Sequence, residues 1–186
     1  MSEIQLRPPT LDDVDELLAF ELANRAFFER WINARAPAFY QPDAVADSIL
    51  ALQQGAASDH GYAFLILQQN AIVGRINLTA VERPYFNRAT LGYRLAEHAC
   101  GRGWASAAVA QLQQLAFGPL GLWRLEAHVG QHNPASRAVL LRNGFAQYGH
   151  SEQSFCLHGQ WHDMWHLACR APGAPRLAAM PVGAAL

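Results

Sequence analysis

Six residues near the middle of the chain, Cys100-Gly101-Arg102-Gly103-Trp104-Ala105, constrain its fold more than any other segment. They follow a strand-like run, Ala89 to Ala96, and open a helix-like one, Ala105 to Phe117. Two glycines at a helix entry let the backbone turn tightly and approach a ligand closely, and the first N–H groups of the helix have no partner within it. Together with the positive end of the helix dipole, those donors suit a phosphate or pyrophosphate. Ser106 stands where a dinucleotide fingerprint needs its third glycine, and Trp104 follows Gly103 where a P-loop needs lysine, so neither nucleotide motif is met. Taken alone, the loop reads as a phosphate cradle or as a plain helix-entry turn.

The segments on either side predict alternating helices and strands. Ile4 to Arg7 reads as a first strand, and Thr10 with Asp12 and Asp13 as the start of a helix whose apolar face is Leu11, Val14, Leu17, Leu18 and Leu22. A second helix follows Pro42, with Ala44, Val45, Ile49 and Leu52 inward. Tyr62 to Leu67 and Ala71 to Val81 read as a hairpin turning at Gln68-Gln69-Asn70. Leu122 to Val129 is a further strand, Ala135 to Asn143 a short helix stopped by Gly144, and Gln147 to Leu157 with Trp161 to Ala168 a last hairpin around His158-Gly159. Strands on both sides of mid-chain helices imply an α/β architecture with a mixed sheet. Residues 1–170 read as one domain, and 171–186, rich in Pro, Gly and Ala, as a flexible tail.

A formal net charge of −1 with 51% hydrophobic residues argues for a packed core and against nucleic acid as the main ligand. No apolar run reaches membrane-spanning length, and the N-terminus lacks a signal-peptide pattern. Cys100, Cys156 and Cys169, an odd and widely spaced set, point to a reduced, cytoplasmic setting. Oligomeric state stays open between monomer and homodimer.

Read in order, Gly92-Tyr93-Arg94-Leu95, the glycine loop, Trp123-Arg124-Leu125-Glu126-Ala127-His128-Val129, Asn133-Pro134-Ala135-Ser136 and Arg142-Asn143-Gly144-Phe145 resemble the GNAT superfamily of acetyl-CoA-dependent N-acetyltransferases. Within it the chain resembles the RimJ/RimL branch, which acetylates ribosomal-protein alanine. The likeness extends to Glu21 through Phe28, Trp31 and Gly159 through Asp163. The resemblance implies a GNAT fold, with a twisted mixed sheet of about six or seven strands flanked by helices and splayed at the acetyl-CoA cleft. It implies acetyl-CoA as co-substrate and no metal. It also implies an amine acceptor: first a protein N-terminal α-amine such as a ribosomal protein's, alternatively a polyamine, amino acid analogue or aminoglycoside. A non-catalytic acyl-CoA-binding module is the third reading.

The family's pyrophosphate loop falls on Cys100, Gly101, Arg102, Gly103, Trp104 and Ala105, with Cys100 departing from the usual Gln or Arg. The strand ending at Leu95 would run beside the pantetheine arm, whose amides pair with exposed backbone like an added strand. By the same likeness Asn133 holds the pantetheine or the helix start. Ser136 either donates a proton to the departing sulfur or caps the helix. Asn24, Arg25 and Trp31 would belong to the acceptor wall, although Trp31, with Phe27 and Phe28, also fits the core. The branch's glutamate near the last hairpin falls around Phe155, which cannot take a proton. Glu126 and His128 share one face of their strand, so either could reach the amine, Glu126 as base and His128 as an acceptor contact. The weak supply of bases favours an acceptor that is partly neutral already. An α-amine (pKa ~8) is about one-tenth neutral at pH 7, whereas lysine (~10.4) costs about 3–4 kcal/mol more to prepare. His158, His162 and His166 recur every fourth residue, about 13 Å apart on a strand and too far for one metal ion.

Overall fold

Hydrophobic alternation and turn chemistry build the sheet first. The computed structural model describes residues 4–173, so the expected flexible tail lies outside the described residues except for its first three positions. Seven strands, β1 (Ile4–Arg7), β2 (Tyr62–Gln68), β3 (Ala71–Glu82), β4 (Arg88–Leu95), β5 (Arg124–Gly130), β6 (Ala146–Leu157) and β7 (Gln160–Arg170), form one sheet in the order β1-β2-β3-β4-β5-β7-β6. All neighbours are antiparallel except β4 and β5. Gln69 and Asn70 both take positive φ (49° and 67°), as do His158 and Gly159 (51° and 76°). Two consecutive left-handed residues match the twist of the flanking strands, which is why each pair closes a two-residue hairpin.

The helices are α1 (Val14–Ala23), α2 (Arg25–Phe28), α3 (Pro42–Ala57), α4 (Trp104–Phe117) and α5 (Pro134–Arg142). On α4 the buried residues Ala108, Val109, Leu112 and Ala116 recur at helical spacing. Leu112, Ile76, Leu78, Leu125, Leu140 and Leu167 are fully buried in the core. Truncating Leu112 to alanine would cost about 2–5 kcal/mol, since so tight a site collapses only partly.

One expectation is corrected on α1. Leu11 and Leu22, expected inward, are each 49% exposed, and the buried stripe is Leu17, Phe20 and Glu21, continued by Asn24. The helix is rotated so that a carboxylate faces the sheet. Asn24, buried and with φ −107°, then interrupts the helical run between α1 and α2.

Candidate active site

The parallel pair opens the site. Pairing between β4 and β5 covers only Arg88↔Arg124, Ala89↔Leu125 and Thr90↔Glu126, although β4 continues to Leu95 and β5 to Gly130. Beyond Thr90 the facing edges diverge, leaving backbone groups of β4 free to pair with an extended ligand. The divergence lies in a cleft of about 760 Å³. Its walls include Leu95, Cys100, Gly101, Gly103, Trp104, Ala105, Asn133 and Ser136 from the expected coenzyme set, and Trp31 and His128 from the expected acceptor set.

At one end the glycine loop enters α4. Gly101 and Gly103 have φ of +75° and +80°, and a Cβ on either would meet nothing within 4 Å. Backbone, rather than crowding, thus demands glycine here, and the space above the loop is open. Gly103 is the N-cap of α4, whose first turn holds no acidic residue and receives no side-chain cap. Its N–H donors are left for an anion, so the residues present fit a pyrophosphate. Arg102, expected at the coenzyme as one of the six loop residues, lies outside the cleft walls; its Nε donates to the His98 carbonyl (2.9 Å) and its guanidinium covers the Trp104 ring. Arg142, in the last turn of α5, does line the cleft.

Asn133 caps α5, its Oδ1 accepting from the Ser136 N–H at 3.0 Å. The Ser136 hydroxyl is therefore not the cap. It accepts a hydrogen bond from the Tyr93 hydroxyl at 3.1 Å, inside the cleft. Burial raises the Tyr93 pKa against the lowering effect of Ser136, so the phenol keeps its proton at neutral pH. Tyr93 is a site candidate that sequence reading missed, because the contact joins residues 43 apart.

On the other face of the sheet, His128 lines the cleft and its ring meets that of His166 edge-on, centroids 4.7 Å apart. Burial and neighbouring His166 lower its pKa more than Glu126 raises it, leaving a neutral imidazole that can accept a proton. Trp31 stacks on His132 at 6.0 Å and forms a wall, and Phe28, buried in the core, reaches the same cleft. Phe155 and Met164 add apolar surface.

Three further expected site residues are placed elsewhere. Glu126 is outside the cleft walls, its Oε1 accepting from Arg124 Nε (2.7 Å) and Arg88 Nη1 (3.4 Å). Burial pushes its pKa up, but those two arginines outweigh that and hold it below the ordinary range, so it is a poor proton acceptor near pH 7. Asn24 Nδ2 donates to the Phe20 carbonyl and its Oδ1 accepts from the Glu97 N–H, a joint between α1 and the chain after β4. Arg25 pairs with Glu29 at 2.8 Å and covers the Tyr40 ring, also outside the cleft. Among the described residues no grouping of His, Cys, Asp and Glu could hold a metal ion, and no helix is long and apolar enough to cross a membrane.

Comparison with known proteins agrees with this geometry. Residues 3–146 match the model of the acetyltransferase (GNAT) domain. The chain is 30% identical over 171 residues to "Probable N-acetyltransferase YjcK" of Bacillus subtilis (strain 168), covering 91% of this chain and 94% of that one. It is 24% identical over 157 residues to the [Ribosomal protein uS5]-alanine N-acetyltransferase of Escherichia coli (strain K12), covering 81% and 79%. Among solved structures, the ribosomal-protein-S5-alanine acetyltransferase from Vibrio fischeri superposes with a TM-score of 0.89 at 22% identity, covering 95% and 97% of the two chains. Mycobacterium smegmatis RimJ, solved with a CoA disulfide, gives 0.85 at 26% identity, covering 93% and 84%. The splayed sheet, the glycine-led helix and these likenesses converge: the chain belongs to the GNAT family and is an N-acetyltransferase that uses acetyl-CoA.

Proposed function

We propose that this enzyme transfers acetyl from acetyl-CoA to a protein N-terminal α-amine, with a ribosomal protein as the model acceptor and the cytoplasm as its setting. One observation carries the choice of amine: no Asp or Glu lines the cleft among the described residues, and its histidines, His128 and His132, both have their pKa lowered, chiefly by burial. An imidazole whose pKa lies below its ordinary ~6.5 takes a proton uphill from either amine, by about 1.5 decades or more from an α-ammonium near ~8 and by about 4 or more from a lysine near ~10.4. The same walls carry Arg35, Arg75, Arg94 and Arg142, a field that repels polyamines and aminoglycosides. The three cysteines are unpaired, consistent with a reduced compartment.

In this reading the α4 N-terminus holds the pyrophosphate, and the free edge of β4 past Thr90 aligns the thioester by its backbone donors. The amine enters from the face of Trp31 and His128. Its nitrogen attacks the carbonyl carbon, the C–N bond forms, and the C–S bond breaks. His128 takes the ammonium proton, directly or through water. Ser136, oriented by its hydrogen bond from Tyr93, gives its proton to the departing sulfur, which leaves as the thiol, and takes one back from solvent as His128 releases its own. Positioning does most of the catalytic work.

The test is an acceptor panel read by mass spectrometry. N-terminal peptides should gain 42 Da per chain, as any acetyl replacing hydrogen does, by roughly two decades faster in kcat/KM than polyamines or aminoglycosides. Faster turnover of polycations would overturn the reading.

A further inference from the structure

Four charged groups sit together on the acceptor face. Arg75 and Arg94 are directly opposed on β3 and β4, so their side chains leave the same face of the sheet. Glu21 reaches them from α1, 1% exposed, with Oε1 2.5 Å from Arg75 and Oε2 3.5 Å from Arg94. Arg35, from the loop after α2, brings its Nε to 4.0 Å from the same Oε2 and lays its guanidinium over Phe39. Three guanidinium groups thus share one carboxylate.

The sharing is uneven. Arg75 holds the short bond, Arg94 has only a long one, and the Arg35 Nε is a buried donor with no hydrogen-bond partner. All three arginines line the cleft, and no Asp or Glu among the described residues lines it with them. Burial lowers the Arg94 pKa to about 10; Glu21 opposes this, while the charges of Arg75 and Arg35 add to it. An electropositive pocket with spare planar donors, beside the place where the amine must sit, matches a carboxylate, which accepts two parallel bonds from a guanidinium.

Resting on the α-amine reading above, we propose that the acceptor carries a carboxylate close to its reactive amine, and that Arg35, Arg75 and Arg94 form the subsite that binds it. The spacing sets where that carboxylate lies. Continuing the register of Thr90↔Glu126 brings Gly92 to the level of His128, and Arg94 is two residues further along β4, about 7 Å, to which the divergence of the two strands adds. That span fits an acidic side chain on the second or third residue of a peptide. A free acidic amino acid offers the same chemistry.

The experiment compares matched acceptors at fixed acetyl-CoA. Pentapeptides beginning with alanine carry Glu or Gln at position two or three, and free aspartate and glutamate are set against their α- and side-chain amides. The expected result is a kcat/KM about 10-fold or more higher for the Glu peptide at one of the two positions, as for a charge-assisted hydrogen bond gained. In Arg35→Gln that ratio should fall toward one. Arg35 makes no hydrogen bond to Glu21, so its removal leaves no carboxylate stranded; an acetyl-CoA-dependent rise in Tm shows that the variant is folded. Arg94→Gln is the second variant and should act alike. Equal rates for Glu and Gln peptides at both positions, with peptides acetylated well, would overturn the anion subsite and leave the α-amine acceptor standing. Acetylation of free acidic amino acids but of no peptide would uphold the subsite and overturn the peptide acceptor.

Discussion

Replacing Gly103 with valine tests the coenzyme end of the cleft quantitatively. Gly103 has φ +80°, and an added Cβ meets no atom within 4 Å, so the substitution creates backbone strain but no collision. A non-glycine residue in the left-handed region costs about 1–2 kcal/mol. At 2–4 °C per kcal/mol for a domain of this size, the apo protein should melt about 2–8 °C lower and still fold. The larger effect concerns the ligand. Acetyl-CoA at 100 times its Kd stabilises the folded state by about 2.7 kcal/mol, or about 5–11 °C. A branched side chain over the first N–H groups of α4 keeps a pyrophosphate from reaching them, so this rise should vanish. Differential scanning fluorimetry of wild type and Gly103→Val, each with and without acetyl-CoA, reads both quantities. A lower apo Tm with an undiminished acetyl-CoA shift would refute the placement of the pyrophosphate on this loop.

Other substitutions separate roles that look alike in sequence. Ser136→Ala should lower kcat by about one to two decades with stability nearly unchanged, because Asn133 supplies the cap; Asn133→Ala should instead cost about 1 kcal/mol in chemical denaturation. For an α-amine acceptor, kcat/KM should rise with pH and level off near pH ~8, as the amine titrates, with Glu126→Gln leaving the profile in place; a lysine or polyamine acceptor would carry the rise toward ~10. Asp13, bonded to Arg7 and to the Thr10 N–H, has its pKa lowered from 3.8 to about 2. A depressed carboxylate stabilises the fold above its unfolded pKa and loses that contribution as pH falls through the folded one. Asp13→Asn should therefore cost about 2 kcal/mol at pH 7, and urea melts should show the gap closing between pH ~4 and ~2.

What could be read from sequence follows the range of the interaction. The glycine loop was legible because a tight turn, a helix entry and exposed N–H groups are set within six consecutive residues. The two hairpin turns were legible for the same reason. The pairing of Glu126, a candidate base, had a local signal: Arg124, two residues away on the same strand face, donates to its carboxylate. The arginine cluster was not legible at all. It depends on the register that opposes Arg75 to Arg94 and on the rotation of α1 that buries Glu21, contacts between residues up to 73 apart. Tyr93 and Ser136 meet across 43 residues of sequence, from β4 to α5. Bulges between Gln147 and Gly149, and between Ser151 and Phe155, likewise break the alternation from which the side of the sheet that Phe155 faces would have been read.

The most direct test of the acceptor is to give the enzyme a choice within one molecule. A peptide with a free N-terminal alanine, a glutamate at position two or three and an internal lysine presents both amines at equal concentration. Fragmentation mass spectrometry after partial turnover with acetyl-CoA locates the acetyl group. The account predicts acetyl on the α-amine with the lysine unmodified. Acetyl found mainly on the lysine ε-amine would contradict it.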